Sequence, residues 1–213
     1  MAHVRLPALE EKGFVVLKNW GTPIPRSEYE GLEYVDWKSG GDTNFAPIAS
    51  ALGQMECNGF WDHGKADKDG IWTDNAKVCP SLVEWATSVG ANFGRVRIIK
   101  LNPNTEAQAI HNLHPDDNNR LNPEGEGWVV RAWLQLTDNP DSYMIVREDK
   151  DDPSTESRIP LPAGAQFVVD SERLWHAVWH PGPEPRYALI VSFESGPVLE
   201  QWIEANLSEP AVV

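Results

Sequence analysis

Residues 95–194 predict a mainly β fold, a sandwich or small barrel with flanking helices. Eight short apolar runs follow one another there, at 95–101, 107–114, 128–137, 142–148, 157–161, 165–170, 174–179 and 186–194. Turn signals separate them in a chain that carries 17 prolines and 16 glycines, and strand-sized runs between frequent turns are the pattern of sandwiches and barrels. A length of 213 residues, 41% of them hydrophobic, suffices for one good core. The expected organisation is a single domain. Residues 1–94 supply helices, a strand and loops packed on the β core of 95–195, and 196–213 supply a C-terminal helix and tail.

Taken in order, Leu9-Glu10-Glu11-Lys12 predicts a short helix, which Gly13 breaks before the strand Phe14-Val15-Val16-Leu17-Lys18. Ser27 to Asp36 predicts a second short helix. Gly40 to Asp74 is rich in Gly, Asp and Asn and predicts long loops, and loops of that length are often functional. Pro80-Ser81 offers an N-cap for an amphipathic helix from Leu82 to Phe93, ending near Gly94. In the β region the connection 117–127 is polar, and the charged run Glu148-Asp149-Lys150-Asp151-Asp152 predicts a solvated hairpin tip. That run lacks the glycine and ligand order of a calcium loop. Val198 to Asn206 predicts the closing helix. No internal repeat or low-complexity segment interrupts the chain.

Composition excludes more than it identifies. The formal net charge is −14, a field that repels phosphate backbones and argues against a nucleic-acid substrate. No stretch approaches the ~20 apolar residues of a membrane span, and the N-terminus carries no apolar leader. The two cysteines, Cys57 and Cys79, have no paired spacing and fit reduced thiols in a cytoplasmic protein. Ten tryptophans are compatible with core filling or with a substrate pocket. Among the aromatics, Trp37, Phe45, Phe60, Trp61 and Trp72 either cover a substrate or pin an irregular loop onto the barrel.

The informative residues are His114, Asp116, His176 and Arg186. In an extended 110–116, positions 114 and 116 share a face about 7 Å apart, while His111 has the opposite parity. Sixty residues after Asp116 comes His176, and ten further on Arg186 opens an apolar strand. Two histidines and one carboxylate on one face of an octahedron leave three positions open, which suits non-haem Fe(II) with oxygen and a bidentate cosubstrate. An arginine inside a strand apolar on both faces needs an anion. The far carboxylate of a metal-chelating keto-diacid supplies one, through a two-pronged charge-assisted contact. His180 competes with His176, but Pro181-Gly182 after it reads as a turn. Along 128–136, Trp128, Val130, Ala132, Leu134 and Leu136 form one face and Val129, Arg131, Trp133 and Gln135 the other. Arg131 on the second face either meets solvent or lines a polar cavity, where it would contact the cosubstrate or an anionic group of the primary substrate.

The pattern Gly13-Phe14-Val15-Val16-Leu17, His114-Pro115-Asp116, His176 and Arg186-Tyr187-Ala188-Leu189 resembles the Fe(II)/2-oxoglutarate-dependent dioxygenases. Residues 96–195 are similar in layout to the prolyl hydroxylases and the aspartyl/asparaginyl β-hydroxylase-like branch, and residues 19–93 resemble nothing in it. The resemblance implies a double-stranded β-helix, the cupin-type jelly roll. It implies iron held by His114, Asp116 and His176, with 2-oxoglutarate on Arg186. The activity implied is hydroxylation of an unactivated C–H bond in an amino acid, peptide or small natural product, using O2 and releasing succinate and CO2. Prolyl hydroxylases add a tyrosine to the cosubstrate carboxylate from the strand matching 128–137; this chain offers Gln135 or Trp133 there. Two other classes fit the same parts: a cupin-like isomerase or zinc hydrolase, since these ligands also hold zinc, and a metal-free jelly-roll binding module. The first does not require Arg186, and the second leaves His114 and Asp116 unexplained.

Overall fold

A computed structural model describes residues 6–36, 43–122 and 127–208. Trp37, the start of the loop expected from Gly40, and part of the 117–127 connection lie outside the described residues. The described strands are β1 Phe14–Leu17, β2 Val35–Asp36, β3 Thr43–Ser50, β4 Ile71–Trp72, β5 Phe93–Leu101, β6 Val129–Gln135, β7 Asn139–Arg147, β8 Ser157–Leu161, β9 Gln166–Val169, β10 Trp175–Trp179 and β11 Arg186–Glu194. The helices are α1 Pro80–Ser88, α2 Glu106–His111 and α3 Pro197–Asn206.

A large sheet runs in the order β1-β9-β6-β11-β5-β3-β2, with β4 paired to β3, and a small sheet runs β10-β7-β8. Trp133, Met144, Val146, Ile159, Phe167, Val169 and Ile190, contributed by both sheets, pack together between them. The outer face of the large sheet is buried as well. Val96, Ile98, Val130, Leu134, Leu189 and Val191 pack there under Leu82 and Trp85 of α1 and Leu199 and Ile203 of α3. Coverage on both faces explains why the central strands read as continuous apolar runs rather than alternating ones. Among the described residues no helix is long and apolar enough to cross a membrane.

Several sequence expectations need correction. The strand expected at 107–114 is helix α2. Thr105 and Gln108 form a reciprocal capping box, with Thr105 N–H donating to Gln108 Oε1 at 2.8 Å and Gln108 N–H to Thr105 Oγ1 at 3.2 Å. Ala109 and Leu113, spaced four apart, pack on Ile145 and Ala177 of the small sheet, which is helical rather than alternating burial. The loop expected over 40–74 contains the eight-residue β3, paired with both β2 and β5. Pro47 sits at a register shift in that pairing, where the ladder tolerates a missing donor.

The helix expected at 27–36 is a 3₁₀ turn, Arg26–Glu28, followed by β2. Glu28 instead caps α1 from a distance, accepting from the Ser81 and Leu82 N–H groups at 2.9 and 3.3 Å. That helix stops at Ser88 because Gly90 takes φ +76°, and Phe93 already belongs to β5. The helix expected at Leu9–Lys12 is a 3₁₀ turn over Pro7–Leu9. Gly13, at φ +71°, makes the expected break before β1.

Candidate metal centre

Donor atoms of His114, Asp116 and His176 all lie within 4.8 Å of one another. His176 is carried by β10 of the small sheet. His114 lies just past α2, where it makes one antiparallel bridge to His176: His176 N–H donates to His114 O at 3.0 Å and His114 N–H to His176 O at 3.3 Å. This bridge is what remains of a fourth strand beside β10. Asp116 is tied by its backbone, N–H to Ser171 O at 2.8 Å. His114 and Asp116 therefore converge because one residue pairs with β10 and the other with the β9–β10 turn, and not because they alternate along a strand.

Both imidazoles are oriented by the main chain. His114 Nδ1 lies 2.8 Å from Asn112 O, and His176 Nδ1 lies 3.2 Å from Leu174 O. A carbonyl accepts only, so Nδ1 carries the proton on each ring and Nε2 presents its lone pair to the cluster. Burial pushes the His176 pKa down to about 4, so that ring is neutral at physiological pH. His114 stands at the exposed mouth of the site.

Asp116 supplies the negative charge. Burial raises its pKa, but Arg131, the two histidines and a hydrogen bond from Ser171 outweigh this and hold the carboxyl well below the usual range. Arg131 Nε stands 3.0 Å from Asp116 Oδ2. The N–H does not point along that line, so the contact is an ion pair without an aligned hydrogen bond, and Oδ2 receives no donor. Arg131 Nη2 donates instead to Asn118 Oδ1 at 2.6 Å. A buried carboxylate oxygen with no donor, beside two imidazole rings, is a donor set that fits a divalent metal.

The cluster opens into a cavity of about 640 Å³ between the sheets. Across it stands Arg186, 1% exposed, whose Nε and Nη2 have no hydrogen-bond partner. Burial alone pulls its pKa down to about 9, so it remains a cation at neutral pH with no anion beside it. Trp133 lines the same cavity, stacked on Phe167 at 5.3 Å and edge-on to His176 at 6.0 Å. Gln135 shares that strand face, but its amide donates to Thr137 O at 2.9 Å and Asn139 Oδ1 at 3.0 Å, outside the cavity lining. His111 is exposed at the end of α2. His180 is fully buried and held between Ser142 Oγ at 2.8 Å and Glu184 O at 2.7 Å, apart from the cluster.

Other lining residues escaped the sequence reading. Thr43 of β3, Arg95, Arg97, Ile99 and Leu101 of β5, and Asn104 all face the cavity. The alternation of Arg95, Arg97, Ile99 and Leu101 against Gly94, Val96, Ile98 and Lys100 was the available signal. Of the aromatics expected to cover a substrate, Phe45 and Trp61 line the cavity, Phe60 is buried, and Trp72 packs on Phe93 at 4.4 Å.

No family model matches the chain, and no curated protein matches it by sequence. Solved structures do match by shape. An oxidoreductase of the 2OG-Fe(II) oxygenase family from Burkholderia pseudomallei is 14% identical with a TM-score of 0.55, covering 88% of this chain and 86% of its own. The non-haem alpha-ketoglutarate-dependent carbocyclase SnoK from nogalamycin biosynthesis is 14% identical at 0.55, covering 92% and 84%. A prolyl hydroxylase from Trichoplax adhaerens, in complex with a hypoxia inducible factor peptide fragment, is 12% identical at 0.52, covering 92% and 90%. Two facing sheets, with a histidine–aspartate–histidine cluster at one end of the space between them, therefore give this chain the jelly-roll fold of the Fe(II)/2-oxoglutarate oxygenases.

Proposed function

We propose that this chain is a non-haem Fe(II)/2-oxoglutarate-dependent dioxygenase that hydroxylates an unactivated C–H bond. The supporting observation is one cavity with a charge-compensated His114–Asp116–His176 cluster and a buried Arg186 lacking an anion. In this reading His114 and His176 give Nε2 and Asp116 gives Oδ2 to Fe(II). Arg186 grips the far carboxylate of 2-oxoglutarate through its guanidinium edge. Iron, 2-oxoglutarate and O2 together supply the oxidising chemistry, with succinate and CO2 released.

The chain's own residues do the rest. Asn112 O and Leu174 O hold the imidazoles in the ligating tautomer, and Arg131 holds Asp116 ionised. Trp133 and Met144 keep water from the inner wall. In this reading the substrate is an amino acid, peptide or small natural product; the prolyl hydroxylase of similar shape is in complex with a peptide fragment, and SnoK belongs to nogalamycin biosynthesis. Zinc hydrolysis would use the same donors but leaves Arg186 without a task, which favours the oxygenase. The proposal treats the chain as one catalytic domain, and Cys57 and Cys79, both free thiols, suit a cytoplasmic enzyme. The test is succinate formation by anaerobically purified protein given Fe(II), 2-oxoglutarate and O2, including slow turnover without a primary substrate. Absence of both succinate and 2-oxoglutarate binding would falsify it.

A further inference from the structure

Two consecutive asparagines follow the metal cluster in a polar connection, yet both are buried, Asn118 at 5% exposure and Asn119 at 1%. Buried amides need hydrogen-bond partners, and the partners of these two differ in kind. Asn119 secures the backbone. Its Nδ2 donates to Val129 O at 3.0 Å and Glu172 Oε2 at 2.9 Å, and its Oδ1 accepts the Val129 N–H at 2.7 Å. Its own N–H donates to Glu172 Oε2 at 3.0 Å. With Asp116 N–H on Ser171 O, residues 116–119 are tied to β6 and to the β9–β10 turn without help from the Asn118 side chain.

Asn118 instead binds two side chains, and both lead back to Asp116. Its Oδ1 accepts from Arg131 Nη2 at 2.6 Å, and its Nδ2 donates to Ser171 Oγ at 3.1 Å. Arg131 Nε stands 3.0 Å from Asp116 Oδ2, and the Ser171 hydroxyl bonds the same carboxylate. Asp116, Arg131, Asn118 and Ser171 thus close a ring. It has one direction. A guanidinium only donates, so Asn118 turns its oxygen to Arg131 and its N–H to Ser171. Ser171 Oγ then accepts from Asn118, and its single proton goes to Asp116. Arg131 meanwhile neutralises Asp116 without donating to Oδ2, the oxygen that lies 3.7 Å from His176 Nε2.

We infer that Asn118 is a positioning residue for the metal: it directs the Ser171 proton onto Asp116 and restrains Arg131, so that Oδ2 stays open beside His176. The inference rests on the metal-site reading of the cluster and adds to it a side chain that is not a ligand. Without the Asn118 amide, Arg131 is free to close the two-pronged pair that guanidinium and carboxylate favour. That pair competes with the metal for Oδ2. The Ser171 hydroxyl also loses the donor that fixes its direction.

Co(II) is the probe, titrated into the whole apo protein, with affinity read by calorimetry and ligand geometry by visible absorption. Asn118→Leu keeps the approximate size of the side chain and removes both bonds. It should weaken Co(II) binding by about 10–100-fold and shift the absorption bands of the Co(II)-saturated protein. Ser171→Ala should weaken binding in the same direction. The double variant should lose less than the product of the two single losses, because both act on one carboxylate through one hydroxyl. Unchanged affinity or unchanged bands in folded Asn118→Leu overturns the inference, even if that variant melts earlier, since a merely structural asparagine behaves that way. A double-variant loss equal to the full product overturns it as well. Should Asn118→Leu fail to fold, unchanged Co(II) affinity in Ser171→Ala overturns it alone. Failure of the unmodified protein to bind Co(II) sinks the metal-site reading together with this inference, whereas binding that survives Asn118→Leu intact sinks the inference only.

Discussion

Asp116 and Arg186 are opposite charges lining one cavity, and the fold treats them oppositely. Asp116 is surrounded by compensation: Arg131 at 3.0 Å, two imidazoles and the Ser171 hydroxyl. Arg186 is met by burial alone, with two guanidinium nitrogens lacking partners. The first arrangement has its charge compensated within the chain. The second carries an unpaid desolvation cost that only an incoming anion relieves. In the proposed oxygenase, the metal site is built from internal partners, and the cosubstrate site gains affinity from being left incomplete.

Removing Asp116 tests the compensated side and should have the largest effect. Asp116→Ala strands Arg131 in the interior and should cost about 3–5 kcal/mol of apo stability by denaturant melts, besides abolishing Fe(II) binding. An Asp116→Ala, Arg131→Met double variant should recover most of that stability without recovering the metal; no recovery would mean the two charges are not coupled.

Arg186→Met tests the other side, with the opposite sign. Loss of a two-pronged charge-assisted contact should weaken 2-oxoglutarate binding about hundredfold by calorimetry. Apo stability should hold or rise by about 1 kcal/mol, since an uncompensated charge has been removed. A marked loss of apo stability would show that Arg186 is compensated after all.

Thr105→Ala reaches the metal side through its scaffold. Losing the α2 capping box should cost about 1 kcal/mol and loosen metal affinity through His114, two residues past that helix and its cap. Unchanged affinity in a destabilised variant would separate the helix from the site.

The smallest effect concerns pH at the Arg186 end. Burial lowers the His180 pKa, partly opposed by its bond to Glu184 O. The neutral ring donates from Nε2 to that carbonyl and accepts the Ser142 hydroxyl at Nδ1. The folded state therefore binds fewer protons than the unfolded state just below pH 6.5. Apo stability should rise with pH up to that value and fall as acid is added. His180→Gln should flatten this segment of the melting-versus-pH curve; an identical slope would assign it to another group.

The residue types of the cluster and the apolar strands were legible because they depend on side-chain identity and on periodicity, both local properties. Asp116 and His176 sit 60 residues apart in the chain, yet their chemistry singled them out. The route to His114 was different from the expected one. Strand parity pointed to it, whereas in the structure it follows a helix whose Thr105–Gln108 capping box was also readable. Apolar content at 107–114 concealed that box. Strand β3 was hidden for a related reason: its ladder closes on β5 and β2, and neither pairing leaves a trace inside Thr43–Ser50 itself.

The sequence by itself determined the residue types of the cluster, the buried arginine of the last strand and the two-sheet architecture, because these follow from chemistry and periodicity within short windows. Only the tertiary structure decided that Arg131 compensates Asp116, that Arg186 lacks an anion, and that Arg95 and Arg97 face the same space. The physical reason is that charge compensation depends on distances across strands, through a low-dielectric interior, between residues that the chain order does not bring together.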